Sequence, residues 1–158
     1  MRRLVLVRGL PGSGKTSIAR ALINGAKLEL VAEFGGDDAP IHNNFTMCAA
    51  DDFFYSGGVC GDGTIHYGPY EFDPDKLRDA HDECQRKAFG AMSDGHALVV
   101  VHNTFTTMWE MTPYLSVAKL HDYSVQVIEC KGNFGSVHGV PDETIDRMRA
   151  RWEEYSDE

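Results

Sequence analysis

No apolar run in the 158 residues approaches the roughly 20 that cross a bilayer as a helix. The N-terminal LVLV is cut short by Arg8 and is too brief for the core of a secretory signal, so a cytoplasmic location is expected. Cysteine is sparse. Cys48, Cys60, Cys84 and Cys130 stand far apart without a C-x-x-C pair, which argues against a zinc site or dithiol motif and for free, mostly buried thiols. Basic charge is short as well: 15 Lys and Arg face 24 Asp and Glu, and a net charge of −9 disfavours avid, nonspecific binding of polyanions. There is no N-K-x-D for guanine recognition, and no apolar run ending in adjacent acids after the third expected strand. A GTPase is thereby excluded and a motor ATPase disfavoured. Internal repeats and low-complexity tracts are also missing.

What is present is an ordinary globular composition, 42% hydrophobic and 25% charged, over the length of one domain. Its strongest local signal is GLPGSGKT, residues 9–16. Gly9, Gly14, Lys15 and Thr16 satisfy G-x-x-x-x-G-K-[ST], with Pro11, Gly12 and Ser13 inside the loop and Ser17 just after it. Glycines let the backbone N–H groups curl around phosphate oxygens, and the helix that follows adds its partial positive end. Lys15 is then expected at the β and γ phosphates and the Thr16 hydroxyl on Mg²⁺. The flanks agree. Leu4–Val7 is a short β-branched-rich run suited to a strand covered on both faces, and Ile18, Ala21 and Leu22 share one face of a helix.

Further along, residues 25–44 read as a helix end or short strand followed by an exposed loop around Gly35, Gly36, Asp37, Asp38 and Pro40. Phe45–Ala49 suits a second strand ending at Asp51 and Asp52, where an open α/β sheet binds ligands. The five glycines of residues 56–70 predict a loop or small hairpin. Asp73 is placed as an N-cap with Pro74 at the first helical position, ahead of an inward stripe of Leu77, Ala80, Cys84, Ala88 and Ala91. A buried strand is expected over 97–101, ending at His102, Asn103 and Thr104. Then come a helix over about 109–122, a strand over 124–130, and a last helix from Pro141 to the C-terminus. Strands alternating with helices predict a three-layer α/β/α fold with a mainly parallel sheet.

Together RGLPGSGKTSIARAL, ADDFF, FDPDKLRDAH, NTFTTMWEMTPYL and HGVPDETIDRM resemble, in order and over nearly the whole chain, the P-loop kinases of the polynucleotide kinase type. Within these the resemblance is to the kinase-like domains of the Nedd-four-binding-protein-two group. It implies a single P-loop kinase domain over residues 1–158, with a short lid, using ATP and Mg²⁺. By the same resemblance Asp51 is the general base that takes the acceptor's proton. Asp52 is left with three roles: orienting Asp51, holding a water on Mg²⁺, or capping the next turn. Phe54 stands where the family places an arginine for the acceptor's neighbouring phosphate, and His102 where it has a carboxylate. Phe54, Asp52, His102, Asn103 and Thr104 are therefore the expected acceptor-side residues. Where the family has lid arginines this chain offers only Lys131 and His138; Lys131 is the candidate lid cation, with Arg147, Arg149 and Arg151 on the following helix able to compensate.

The expected activity is transfer of the ATP γ-phosphate to a hydroxyl on nucleic acid, either a 5′ end or a hydroxymethyl group of a modified pyrimidine in DNA. A nucleoside or other small acceptor, and a non-catalytic ATP-binding module, stand as alternatives. Phe53, Phe54, Tyr55, Phe105 and Trp109 form the aromatic set from which a base-stacking surface is expected.

Overall fold

A computed structural model describes residues 1–35, 44–135 and 138–157. Four parallel strands, β1 (Arg3–Gly9), β2 (Phe45–Cys48), β3 (Leu98–Asn103) and β4 (Ser124–Cys130), lie in the order β2-β3-β1-β4. Each crossover is helical: α1 (Lys15–Phe34), α2 (Leu77–Ser93) and α3 (Met108–Leu120), with α4 (Asp142–Ala150) after β4.

The apolar runs of β1 and β3 serve both sheet faces by alternation. Leu4, Leu6, Val99 and Val101 meet α2 and α3 through Ala88, Met92, Met111 and Tyr114, while Val5, Val7, Leu98 and Val100 meet α1 through Ala19 and Ile23. The layers are thus one helix, the sheet and two helices. β2 and β4 are the edges, and the first residues of β4 are exposed.

Several boundaries follow the sequence closely. Asp73 caps its 3₁₀ turn by accepting from the Asp75 N–H at 3.0 Å, and Ala80, Cys84, Ala88 and Ala91 are buried, although Leu77 is exposed. Three expectations need correction. The inward face of α1 is centred on Ala19 and Ile23; of the expected Ile18, Ala21 and Leu22 only Leu22 packs against the core, and Ile18 is 40% exposed. The phosphate-loop turn sets the helix phase here, because α1 starts from a left-handed Gly14. It also runs unbroken to Phe34, so of the two readings of residues 25–34 the helix end holds and the short strand does not, while the loop expected around Gly36, Asp37, Asp38 and Pro40 lies outside the described residues. Finally, α4 stops at Ala150, and the chain continues without helix, laying Trp152 over the Arg8 guanidinium at 4.0 Å.

Candidate functional site

The glycine loop between β1 and α1 is shaped by local sterics. Gly12 and Gly14 take φ of 79° and 97°, values that a side chain disfavours. A Cβ on Gly9 would strike the Ser13 hydroxyl. Ser13 Oγ is buried with no hydrogen-bond partner among the described residues. Lys15 folds back, its Nζ donating to the Gly9 carbonyl at 2.8 Å and the Leu10 carbonyl at 3.0 Å. Burial drags the Lys15 pKa down to about 8, against the opposing pull of Asp51 and Cys130. Pro11, Gly12, Gly14 and Thr16 are half-buried along the loop, and Ser17 is exposed. An orphaned hydroxyl and a desolvated ammonium held only by carbonyls are the donors a bound polyphosphate completes, so the loop fits a nucleotide triphosphate. Thr16 is the residue that would hold Mg²⁺, an ion that keeps most of its water and needs few protein ligands.

Just past the end of β2, the two carboxylates diverge. Asp51 sits 54% exposed, accepts the Tyr70 hydroxyl at 3.0 Å, and lies 3.9 Å from His138 Nε2. Its charge acts on Lys15, which places the carboxylate and the loop lysine in one electrostatic site. Asp52 turns inward. It accepts the Ala49 N–H at 3.0 Å and the His66 Nε2 contact at 2.6 Å, and burial raises its pKa while His66 opposes the rise. Of the three expected roles it therefore fills the cap.

The remaining expected residues scatter. Asn103 is buried and structural, its Oδ1 accepting the Ala50 N–H at 2.8 Å and its Nδ2 donating to Cys84 Sγ at 3.7 Å. Thr104 uses its carbonyl to accept the Gly9 N–H at 3.3 Å. His102 is buried with an unpartnered Nε2, and burial, then the nearby Lys15, pulls its pKa down to about 3, so it is a neutral ring. Phe54 does not face an acceptor: it is 4% exposed, packed on Ala50 and Ala80, with Tyr70 and Phe72 against its ring. An aromatic side chain in an arginine's place gains more by joining that cluster than by facing water. Lys131 is likewise misplaced as a lid cation. Its side chain is 80% exposed and pairs with Glu129 at 3.5 Å, since residues two apart on an extended edge share a face. Arg147 and Arg149 bond within α4, to Thr144 and Asp146, while Arg151 donates to the Thr106 hydroxyl. The lid residue that does reach Asp51 is His138.

A family model described as an AAA domain matches residues 4–133. The chain belongs to this family. Human NEDD4-binding protein 2 is 30% identical over 161 residues, covering 96% of this chain but 8% of that protein, so the chain spans under a tenth of that relative. A chain of the Pnkp1/Rnl/Hen1 RNA repair complex aligns with a TM-score of 0.58 at 14% identity, over 95% of this chain and 43% of that one. A putative kinase from Chloroflexus aurantiacus aligns with a TM-score of 0.52 at 16% identity, over 82% of this chain and 59% of that one. The fold is that of the P-loop kinases, as the sequence resemblance implied.

Two parts of this AAA-domain chain were not read from its sequence. The first is what the hairpin expected over residues 56–70 does: bridged at Tyr55–Tyr70 and Val59–His66, it delivers His66 to Asp52 and Tyr70 to Asp51. Its tip is fixed to the edge of β2: the Met47 N–H donates to the Asp62 carbonyl at 2.7 Å, and Lys27 of α1 pairs with the Asp62 carboxylate. The second is the tail beyond the matched region. The buried Arg8 guanidinium donates to the Phe105 carbonyl at 2.6 Å and the Glu153 carbonyl at 2.7 Å. It holds Phe105 at φ 47°, a conformation costly for a bulky residue. The basic RG pair before the glycine loop was the available signal, but no local pattern names a carbonyl 145 residues away as its partner.

Proposed function

We propose that the chain is an ATP- and Mg²⁺-dependent phosphotransferase that moves the γ-phosphate to a hydroxyl on nucleic acid. What supports this is a solvent-reachable carboxylate, Asp51, close enough to act electrostatically on the desolvated lysine of the glycine loop, Lys15, whose backbone shape suits a phosphate chain. Phosphoryl transfer needs little more than positioning and charge neutralisation. Asp51 accepts the acceptor's proton as that oxygen bonds to the γ-phosphorus and the bond to the departing ADP breaks. Lys15 leaves its two carbonyls for the phosphate oxygens and neutralises the charge that develops on them. Thr16 would hold Mg²⁺, which would supply further neutralisation of the phosphate charge. Beside the loop a cavity of about 420 Å³, lined by Pro11, Asn133, Val140 and Ile145 among others, offers space for the rest of the nucleotide.

The net charge of −9 supports a second reading, in which the acceptor is a free nucleoside rather than a polyanion. One experiment addresses both. γ-Labelled ATP and Mg²⁺ are supplied with 5′-hydroxyl DNA and RNA, DNA carrying 5-hydroxymethylpyrimidines, and free nucleosides. Label is expected on one class, with the rate lowered on the order of 10²-fold or more by Asp51→Asn while ATP affinity holds. An Asp51→Asn rate near wild type removes Asp51 from the chemistry. ATP binding without transfer to any acceptor leaves the chain a nucleotide-binding module.

A further inference from the structure

We infer that the acceptor carries its hydroxyl on a nucleotide whose base stacks on Tyr70, in the place the His138 ring holds in this structure. The inference rests on the phosphotransferase reading with Asp51 as base. It also selects among acceptors, because a stacking platform favours a planar base over a side-chain hydroxyl such as a peptide serine.

Tyr70 and His138 lie face to face, ring centroids 3.8 Å apart at an interplanar angle of 23°. The other aromatic neighbours of Tyr70 meet it edge-on: Tyr55 at 5.2 Å and 61°, Phe54 at 6.0 Å and 73°. The face covered by His138 is thus a stacking face, and the covering group is a planar heteroaromatic ring of the kind a base would replace. It also lies at the reacting group, since the Tyr70 hydroxyl donates to Asp51 Oδ1 at 3.0 Å and His138 Nε2 is 3.9 Å from Asp51 Oδ2. A base resting on Tyr70 carries its attached hydroxyl within reach of that carboxylate.

The two rings differ in how they are held. Tyr70 is fixed by backbone pairing on both sides, with the Ser56 N–H donating to the Pro69 carbonyl at 3.1 Å and the Glu71 N–H to the Phe54 carbonyl at 2.8 Å. The phenol is further anchored by its bond to Asp51. His138 belongs to the lid, next to Gly139 at φ 66° and before the Pro141 that opens α4. Tyr70 is therefore the stationary platform and His138 its exchangeable cover. Of the aromatic set expected from sequence, Phe54 and Phe105 are buried, Trp109 is 82% exposed on α3, and Tyr55 stands edge-on beside Tyr70 and His138.

The test uses the full chain with Mg²⁺ and a non-hydrolysable ATP analogue, titrated with two probes. One is a 5′-hydroxyl oligodeoxynucleotide bearing 2-aminopurine at its 5′ end; the other is free 2-aminopurine deoxyriboside. Stacking quenches the probe's fluorescence. Quenching is expected in the wild type and in Tyr70→Phe, which keeps the ring, and is expected to vanish in Tyr70→Leu. In transfer assays Tyr70→Leu should raise the acceptor KM about 10- to 100-fold with the ATP KM unchanged, the scale of one lost stack. Tyr70→Phe should lower kcat with little change in acceptor KM, because it loses only the bond that orients Asp51. His138→Ala should not raise the acceptor KM. Analogue binding checks that each variant is folded.

Quenching that survives Tyr70→Leu, or transfer by Tyr70→Leu at the wild-type KM, overturns the platform. Transfer by the wild type without quenching overturns it while leaving the phosphotransferase reading intact. Quenching without transfer to any acceptor keeps the stack and defeats the kinase reading instead. Preference for the oligonucleotide or the deoxyriboside identifies the acceptor as a strand end or a free nucleoside.

Discussion

Lys15→Met is expected to make the nucleotide-free protein more stable while abolishing transfer. Burial lowers the Lys15 pKa from its ordinary 10.5 to about 8, even with Asp51 and Cys130 pulling the other way. At about 1.36 kcal/mol per pH unit, holding that ammonium charged in the folded loop costs about 3 kcal/mol. Methionine removes the charge and keeps the length of the stem. It also removes the donor to the Gly9 and Leu10 carbonyls, but Leu10 retains the Ser13 N–H at 3.1 Å, so the loss is about 1 kcal/mol. The net gain is about 2 kcal/mol, or roughly 4–8 °C in Tm for a chain of this size. The pH dependence fixes the cause. A depressed lysine pKa means that the unfolded chain binds more protons between pH 8 and 10.5, so the penalty is complete below about 8 and fades toward 10.5. Calorimetry of both proteins at pH 7 and at steps up to 10.5 should show the variant ahead at neutral pH and the gap closing above pH 8. A variant that melts below the wild type at pH 7, or a gap that does not move with pH, refutes the reasoning.

Arg8→Met should destabilise the fold by about 2–3 kcal/mol, because it strands the buried Phe105 carbonyl and removes the part-buried bond to the Glu153 carbonyl. Trp152→Ala should cost about 1–2 kcal/mol, and urea melts of the double variant should show less than the sum, since both act on one clasp. Gly63→Ala puts a Cβ onto the Met47 carbonyl oxygen at φ 81°, so a loss of about 3 kcal/mol or more is expected, with proteolytic cleavage appearing in residues 56–70; wild-type protease resistance would refute the anchoring role of the hairpin tip. His66→Ala should remove about 3 kcal/mol by leaving the Asp52 carboxylate without its ring partner. Urea melts of both proteins at pH 7 measure that deficit.

Much of this architecture was legible because its signals are local. A β-branched run before GLPGSGKT and the strand of residues 124–130 announce themselves within a few residues of chain. The phase of α1 did not, since Ile18 and Ala19 are both apolar and the loop geometry at Gly14, not periodicity, decides which of them faces the sheet. In the candidate site the glycine loop and Asp51 were nameable from motif and resemblance. Tyr70, His66 and the inward turn of Asp52 were not. They depend on the register of a hairpin that pairs with itself and hangs on the β2 edge, contacts that a run of glycines does not encode. Lys131 misled for a similar reason: its chemistry suits a phosphate, but the strand leading to it points the side chain at Glu129.

The bond from Arg8 to Glu153 has a consequence during synthesis. It joins the residue immediately before the glycine loop to one 145 positions later, so that part of the loop's support exists only after nearly the whole described chain has emerged from the ribosome. A nascent chain halted before residue 150 already contains the GLPGSGKT segment and all four strands, yet lacks the tail that fixes Arg8 and Phe105. Nucleotide capture should therefore need residues 151–157 as well as the glycine loop and the four strands, although the loop itself is made far earlier.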